Sequence, residues 1–247
     1  MRLDKFLAHA TGNSRSQVKS FLKQKEVRVD GEIVTSANFH VDENNSVVTV
    51  FGDELLYQKY VYIMMNKPQG YLSATSDGQE ATVMELLDEY YDRFDLSIAG
   101  RLDKDSEGLL LITNDGHLLH NIITPKKKVD KKYLASIEGK LIAASITALE
   151  TGVNIKDGRG VLFTTAPAKV HVVSDGQVEI AIYEGKFHQI KRMFASVGCK
   201  VVYLKRIAIG GLMLDKYLDL GEYRELEADE LEALKNKFRS ELASNET

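Results

Sequence analysis

The sequence predicts an α+β protein in two parts. A small basic module of two helices and a few strands spans residues 1–58. A larger part, 59–247, has a mixed, largely antiparallel sheet flanked by helices. Three observations carry this. Strand-like runs outnumber helical ones, and several are joined as hairpins, which favours antiparallel pairing. The apolar pattern restarts after "LLYQKY" with the strand "YVYIMMNKP". Charge is uneven as well: residues 1–30 hold seven Lys/Arg against three acids, in a chain of net charge −4.

In the first part, Leu3, Phe6, Leu7 and Ala10 of "RLDKFLAHA" recur at helical spacing. A second helix follows in "SRSQVKSFLKQ", capped by Ser14 or Ser16. Its apolar face carries Val18, Phe21 and Leu22, and its other face stacks Arg15, Lys19 and Lys23 four residues apart. "EVRVDGEIV" reads as a hairpin turning at Asp30-Gly31, and "SVVTVFGDELL" as one further strand. In the second part "TVMELLDEYY" reads as helix, "GLLLITND" as a buried strand and "GHLLHNIIT" as a short helix stopped by Pro125. "KYLASIEG" is a strand, "LIAASITALETG" a helix closed by Gly152, and "DGRG" at 157–160 a turn. A long hairpin turns at Asp175-Gly176. The amphipathic helix "FHQIKRMFASVG", the strand "CKVVYLKRIAIG" and a terminal helix in "ADELEALKNKF" complete the order.

Composition excludes several classes. Of 247 residues, 44% are hydrophobic and 28% charged, as in globular domains. The single cysteine, Cys199, rules out an intrachain disulfide and a paired-cysteine zinc site. No apolar run reaches the ~20 residues of a bilayer span, and the N-terminus lacks the apolar core of a signal peptide. A cytoplasmic protein with no membrane partner is expected. Further basic stretches lie at 126–132, with five lysines and one Asp, and at 186–206, with six Lys/Arg and no acid. Acids pool at 84–95 and in the tail from Glu222. One such patch is ordinary solvated surface; three together point to a polyanion held on one face.

The chemistry is less legible from residue types. There is no Gly-rich phosphate loop. His117 and His120 lie three apart but lack a third ligand, and Ser106 lacks the context of a hydrolase nucleophile. In "AGRLDKDSEGLLLITNDG" (99–116), Asp103 and Asp105 share a face on an extended chain, where like charges perturb each other. Residue types alone favour a charged loop leading into a buried strand.

That segment resembles the signature of the RsuA/RluB-type pseudouridine synthases, which isomerise uridines in ribosomal RNA. "MMNKPQGYLSAT" (64–75), "KKYLASIEG" (131–139), "EGKFHQIKRMFASVG" (184–198) and "RIAIGGLML" (206–214) are similar to further segments of that family, in its order. The N-terminal "RLDKFLAHATGNSRSQVKSFLKQKEVRVDGEIV" is similar to the small RNA-binding module shared with a small-subunit ribosomal protein. "FHQIKRMF" looks more like the small-subunit branch than the arginine-rich phrasing of the large-subunit branches.

The resemblance implies a set of roles. Asp103 is the nucleophile. Tyr133 stacks on the target base and can assist proton removal. Lys191 pairs with Asp103 and favours its ionised form. Arg101 has a structural or flipped-nucleotide-stabilising role, and Lys67, Gln189 and Arg192 are expected around the substrate. His188 and Gln189 support their turn, with contact to RNA as the alternative role of His188. Lys104, Asp105 and Glu107 receive no chemistry. Arg2, Lys5, Arg15, Lys19, Lys23 and Arg28 are expected on RNA phosphates. No cofactor or metal is implied. The expected partner is ribosomal RNA or a small-subunit ribonucleoprotein assembly intermediate, met by a monomer. Rival readings are a large-subunit synthase, a non-catalytic assembly factor that binds ribosomal RNA, and, remotely, a glycoside hydrolase pairing Asp103 with Asp105 or Glu107.

Overall fold

The computed structural model describes residues 1–243; the last four residues of the acidic tail lie outside it. The chain divides into two units. The division expected near residue 58 falls after Val61, and residues 88–95, expected in the second part, belong to the first unit.

In the first unit, helices α1 (Leu3–Thr11) and α2 (Arg15–Lys23) cover a four-stranded sheet of β1 (Val27–Val29), β2 (Glu32–Ile33), β3 (Val48–Val50) and β4 (Asp53–Leu55), in the order β2-β1-β3-β4. Leu3, Phe6, Leu7, Val18 and Leu22 share one core with the valines of β1 and β3. The cap of α2 is Ser14, in a reciprocal box with Gln17. Asp30 and Gly31 take positive φ (52° and 86°), as a two-residue hairpin turn requires. The run expected as a single strand, 46–56, is instead a second hairpin. It turns at Phe51-Gly52 with φ of 54° and 93°, a conformation that an aromatic residue does not advertise.

The helix expected in "TVMELLDEYY" is also replaced. Two 3₁₀ turns, Val83–Leu86 and Glu89–Arg93, are separated by extended backbone at Leu87. Thr82 and Asp88 each start their own turn by capping, which breaks the helix between them. Within the first unit, Arg93 then donates to the Ala10 carbonyl at 2.6 Å, and Phe94 meets His9 edge-on at 5.4 Å.

The second unit is built on a nine-stranded sheet. Its strands are β5 (Tyr62–Lys67), β6 (Ser97–Ile98), β7 (Glu107–Thr113), β8 (Lys131–Glu138), β11 (Lys169–Ser174), β12 (Gln177–Ile182), β13 (Lys200–Ile209), β14 (Leu212–Met213) and β15 (Tyr223–Glu225). The path runs β11-β12-β8-β13-β7-β5-β15, with β14 on β13 and β6 on β7. Every pairing is antiparallel except β13 with β7, so the sheet is mixed and largely antiparallel as expected. The helices are α3 (Gly116–Ile123), α4 (Ala143–Thr151), α5 (Gln189–Ser196) and α6 (Ala228–Ala243). The 157–160 turn joins a small separate hairpin, β9 (Asn154–Lys156) and β10 (Leu162–Thr164), whose three-residue strands carry no clear signal in the sequence.

The parallel β7–β13 contact is unusually tight at Gly108. A Cβ there would fall 2.2 Å from the Arg206 carbonyl oxygen, and φ is +102°. Only glycine admits the approach. Leu109–Ile112 after it are fully buried, so the start of β7 is a fixed edge from which the preceding loop can be aimed.

Candidate active site

The loop 99–106 joins β6 to β7 and carries Asp103. Its backbone is pinned almost residue by residue. Ser73 donates to the Leu102 carbonyl at 2.8 Å and accepts from the Leu102 amide at 3.1 Å. The Ser106 amide closes onto the Asp103 carbonyl at 3.0 Å, and the Gly70 amide onto the Lys104 carbonyl at 2.8 Å.

Two buried cations hold the rest. Lys67, at the end of β5, is wholly buried and donates to the carbonyls of Pro68 (2.8 Å), Lys104 (3.4 Å) and Ser106 (3.0 Å). Arg206, on β13, is equally buried. It reaches the Leu109 carbonyl through Nε at 2.7 Å and the Gly100 carbonyl through Nη2 at 2.9 Å, tying both ends of the loop together. Neither forms an ion pair among the described residues. Carbonyl dipoles solvate them instead. Burial pushes the Lys67 ammonium down to about 8, against the pull of Asp105, Asp103 and Glu107.

Asp103 stands at a cavity of about 60 Å³ that Tyr133, Leu204 and Lys191 also line. Tyr133 lies on β8 directly opposite Arg206, and is 6% exposed. Its hydroxyl has no hydrogen-bond partner among the described residues. Helix α5 presents Lys191, whose Nζ is 3.5 Å from Asp103 Oδ2 and 2.5 Å from Asp105 Oδ1. Burial alone would push the Asp105 carboxyl up; the hydrogen-bonded Lys191 ammonium outweighs it and holds the group below the usual carboxylate range. His188 Nε2 approaches Asp103 Oδ1 at 3.8 Å from the other side.

The residues expected at the site divide into two groups. Asp103, Tyr133, Lys191 and Arg101 meet around the cavity, and Gln189 lines it too. Arg101 is exposed there and makes no hydrogen bond or ion pair among the described residues. The other three expected substrate contacts are bound to the protein itself. Lys67 lies beneath the loop, sealed from solvent. Gln189 is 3% exposed, accepts from the Lys186 amide at 2.9 Å and donates to Glu184 at 2.6 Å, so its amide braces the turn before α5. Arg192 donates to the Lys156 carbonyl at 2.6 Å, toward β9 rather than Asp103.

Asp105 and Glu107, expected to be idle, are both engaged, Asp105 by Lys191 and Glu107 by the Tyr203 hydroxyl at 2.7 Å. Arg206 belongs by sequence to a basic stretch expected in solvent. Its alternation with Leu204 and Ala208 on β13, both buried, is the signal that marks it as inward-facing.

Comparison with known proteins fits this geometry. Residues 61–196 match the model of the RNA pseudouridylate synthase family, and residues 1–47 that of the S4 domain. The chain belongs to the RNA pseudouridylate synthases. This synthase is 45% identical over 238 residues to an uncharacterized RNA pseudouridine synthase of Bacillus subtilis (95% of this chain, 98% of the relative). It is 40% identical over 232 residues to the ribosomal small subunit pseudouridine synthase A of Escherichia coli K12 (94% and 98%). A crystal structure of a pseudouridylate synthase superimposes with a TM-score of 0.66 at 37% identity, covering 95% of this chain and 99% of the other.

A third buried cation of the synthase, Lys131, yields a pH prediction. Lys131 is 6% exposed and donates to the Ile122 and Val129 carbonyls at 3.2 and 3.3 Å. Burial, helped by the nearby Arg206 charge and opposed by Asp130, pushes its ammonium down to about 8. An unfolded lysine keeps its proton to about 10.4. Between those values the unfolded chain binds more protons, so stability rises with pH through that window and is flat below it. Relative to Lys131→Met, the synthase should therefore gain stability from about pH 8 to about pH 10. Denaturant titrations of both proteins across that range check it; parallel curves would mean that Lys131 is hydrated.

Proposed function

We propose that this enzyme isomerises a uridine of small-subunit ribosomal RNA to pseudouridine, with Asp103 as the nucleophile. The observation that carries the reading is Asp103 beside Lys191 at a cavity that Tyr133 lines. The reaction breaks the bond from uracil N1 to ribose C1′, turns the base, and joins C5 to C1′, with loss of the C5 proton and gain of a proton at N1. It needs an aimed carboxylate, a surface for the detached base and a proton acceptor. Asp103, ion-paired but still partly exposed, suits the first role. Tyr133, with its hydroxyl unspent, suits the other two. The free Arg101 at the rim suits the space a uridine vacates when it is extruded, a step costing a few kcal/mol.

The relatives named for the small ribosomal subunit support that substrate, as RNA or as a ribonucleoprotein assembly intermediate. The family match over residues 61–196 speaks against the glycoside hydrolase reading. Mapping pseudouridine across ribosomal RNA with and without the enzyme tests the proposal. A single small-subunit position that depends on the protein is expected. A large-subunit position would move the substrate. Binding without any isomerised uridine would leave an assembly factor.

The N-terminal module supplies the grip. Lys5, Arg15, Lys19 and Lys23 are exposed, with no hydrogen bond or ion pair among the described residues. Arg2 instead forks onto Asp4 at 3.0 and 2.7 Å, and Arg28 donates to the Gly31 carbonyl at 3.0 Å. Replacing Arg15, Lys19 and Lys23 together with Gln should leave folding unchanged and weaken RNA binding. The slope of log affinity against log salt should become shallower by about 2, at roughly 0.7 to 0.9 for each phosphate no longer neutralised. Filter binding across a salt series checks this, and an unchanged slope would place the RNA on another face.

A further inference from the structure

We propose that Phe187 and His188 form a two-ring platform on which an unpaired base of the substrate RNA, beside the target uridine, stacks. This deepens the reading of the site as an RNA-directed uridine isomerase and rests on it.

The first observation is backbone conformation. His188 has φ 50° and ψ 32°, in the left-handed region, immediately before α5. Among the described residues four other non-glycine residues take positive φ: Asp30 and Phe51 sit in hairpin turns, Lys25 follows a helix, and Lys128 ends a 3₁₀ turn. Those positions need the conformation to reverse or terminate the chain. At His188 the side chain does not cap the helix, and glycine would make the same turn without strain. Strain of this kind collects where a side chain must be aimed.

The second observation is where it is aimed. The imidazole lies face to face on the Phe187 ring, with centroids 3.7 Å apart and planes 20° apart. Phe187 is 57% exposed, yet firmly backed. A Cβ on Gly158 would come within 3.3 Å of its ring, and the Arg192 guanidinium lies 5.1 Å from the ring centroid, itself fixed on the Lys156 carbonyl. His188 keeps 39% of its side chain exposed.

The third observation is the position of this stack. His188 lines the Asp103–Tyr133 cavity, a groove of about 400 Å³ shared with Ser73, Leu102 and Lys186, and a shallow depression beside Gln69 and Asp105. It is the ridge between the pocket for the reacting base and the surface over which the neighbouring nucleotides must pass. Arg101 and Lys186 flank that surface, Lys186 lying 3.2 Å above the Phe163 ring. A flat, uncharged ring attached to a polyanion matches this surface: the rings take the base and the cations the phosphates.

The test uses the full-length enzyme and a ribosomal RNA transcript. His188→Gly and Phe187→Leu should raise KM on the order of 10- to 100-fold, the loss expected for one stacked base, with the saturated single-turnover rate little changed. His188→Phe keeps a ring and loses the ring nitrogens, and should retain the wild-type KM. Tyr217→Leu, at an exposed tyrosine away from the site, is the control. His188→Gly relieves backbone strain, so loss of folding does not confound it. A second readout needs no turnover. A single-stranded oligoribonucleotide with 2-aminopurine beside uridine should be quenched by wild type and His188→Phe, and not by His188→Gly. If His188→Phe is as impaired as His188→Gly, or if the saturated rate falls while KM holds, His188 acts on Asp103 through its ring nitrogen and the platform is wrong. Unchanged KM in every variant overturns it too. If wild type forms no pseudouridine in ribosomal RNA, the functional reading fails, and the quenching titration alone decides the platform.

Discussion

Asp103→Asn is expected to abolish pseudouridine formation while folding and RNA binding persist. The amide matches the carboxylate in shape and lacks its nucleophilicity. The loop does not depend on that side chain for its form. Ser73, Lys67 and Arg206 hold it through backbone carbonyls, and the Ser106 amide closes onto the Asp103 carbonyl. The carboxylate itself is met only at the long distances of 3.5 Å from Lys191 and 3.8 Å from His188. Stability should thus change by about 1 kcal/mol or less, the range of a substitution that leaves no buried group unpaired. Activity should fall by orders of magnitude. Single-turnover assays, with thermal denaturation and RNA binding as controls, separate the two. Asp105→Asn, two residues on, should keep the reaction. Near-wild-type turnover by a pure Asp103→Asn preparation, with loss in Asp105→Asn, would move the nucleophile to Asp105.

Much of the scaffold is legible in the sequence because its signals are local. The Ser14 cap, the Asp30-Gly31 and Asp175-Gly176 turns and the apolar run of β7 each lie within a few consecutive residues. Phe51-Gly52 is not, because nothing about an aromatic residue announces positive φ. The site divides on the same principle. Family resemblance points to Asp103, Tyr133, Lys191 and Arg101, and the structure draws all four to one cavity. It points equally to Lys67 and Gln189, whose polar atoms are spent on the protein's own framework. A sequence records that a residue is charged. It does not record whether water or a set of carbonyls receives the charge, since every residue carries a carbonyl. Lys131 and Arg206 therefore look like solvated members of basic stretches, though one is 6% exposed and the other 0%. Lys132 and Lys200, from the same stretches, face Glu179 and Glu138 instead. The basic surface is thus narrower than the count of lysines and arginines suggests.

Lys191→Met separates a catalytic cation from a phosphate contact. Were Lys191 one more cation on the RNA surface, its loss would weaken binding modestly and lower the salt slope by about one. Its placement argues otherwise. It is 23% exposed and stands between two carboxylates of one loop, 2.5 Å from Asp105 and 3.5 Å from Asp103. With methionine there, those carboxylates face each other with no cation between them. Like charges so placed favour uptake of a proton by one of them, and a protonated nucleophile does not attack. The buried Lys67 pulls on both carboxylates but hydrogen-bonds only carbonyls, so it does not replace the direct Lys191 contact. The saturated single-turnover rate should fall by about 100- to 1000-fold, the scale of losing one preorganised electrostatic contact. It should recover partly as pH rises and the proton leaves. Lys191→Arg keeps the charge and should keep much of the activity. Asp105→Asn leaves Lys191 to Asp103 alone and should preserve the rate, whereas a strict need for both carboxylates would show as a loss. Lys200→Met, whose ammonium lies on the surface 3.7 Å from Glu138, should leave the saturated rate unchanged and affect binding at most. If Lys191→Met and Lys200→Met prove indistinguishable, with affinity reduced and the saturated rate intact, Lys191 is a phosphate contact and the Asp103–Lys191 pair has no part in the chemistry.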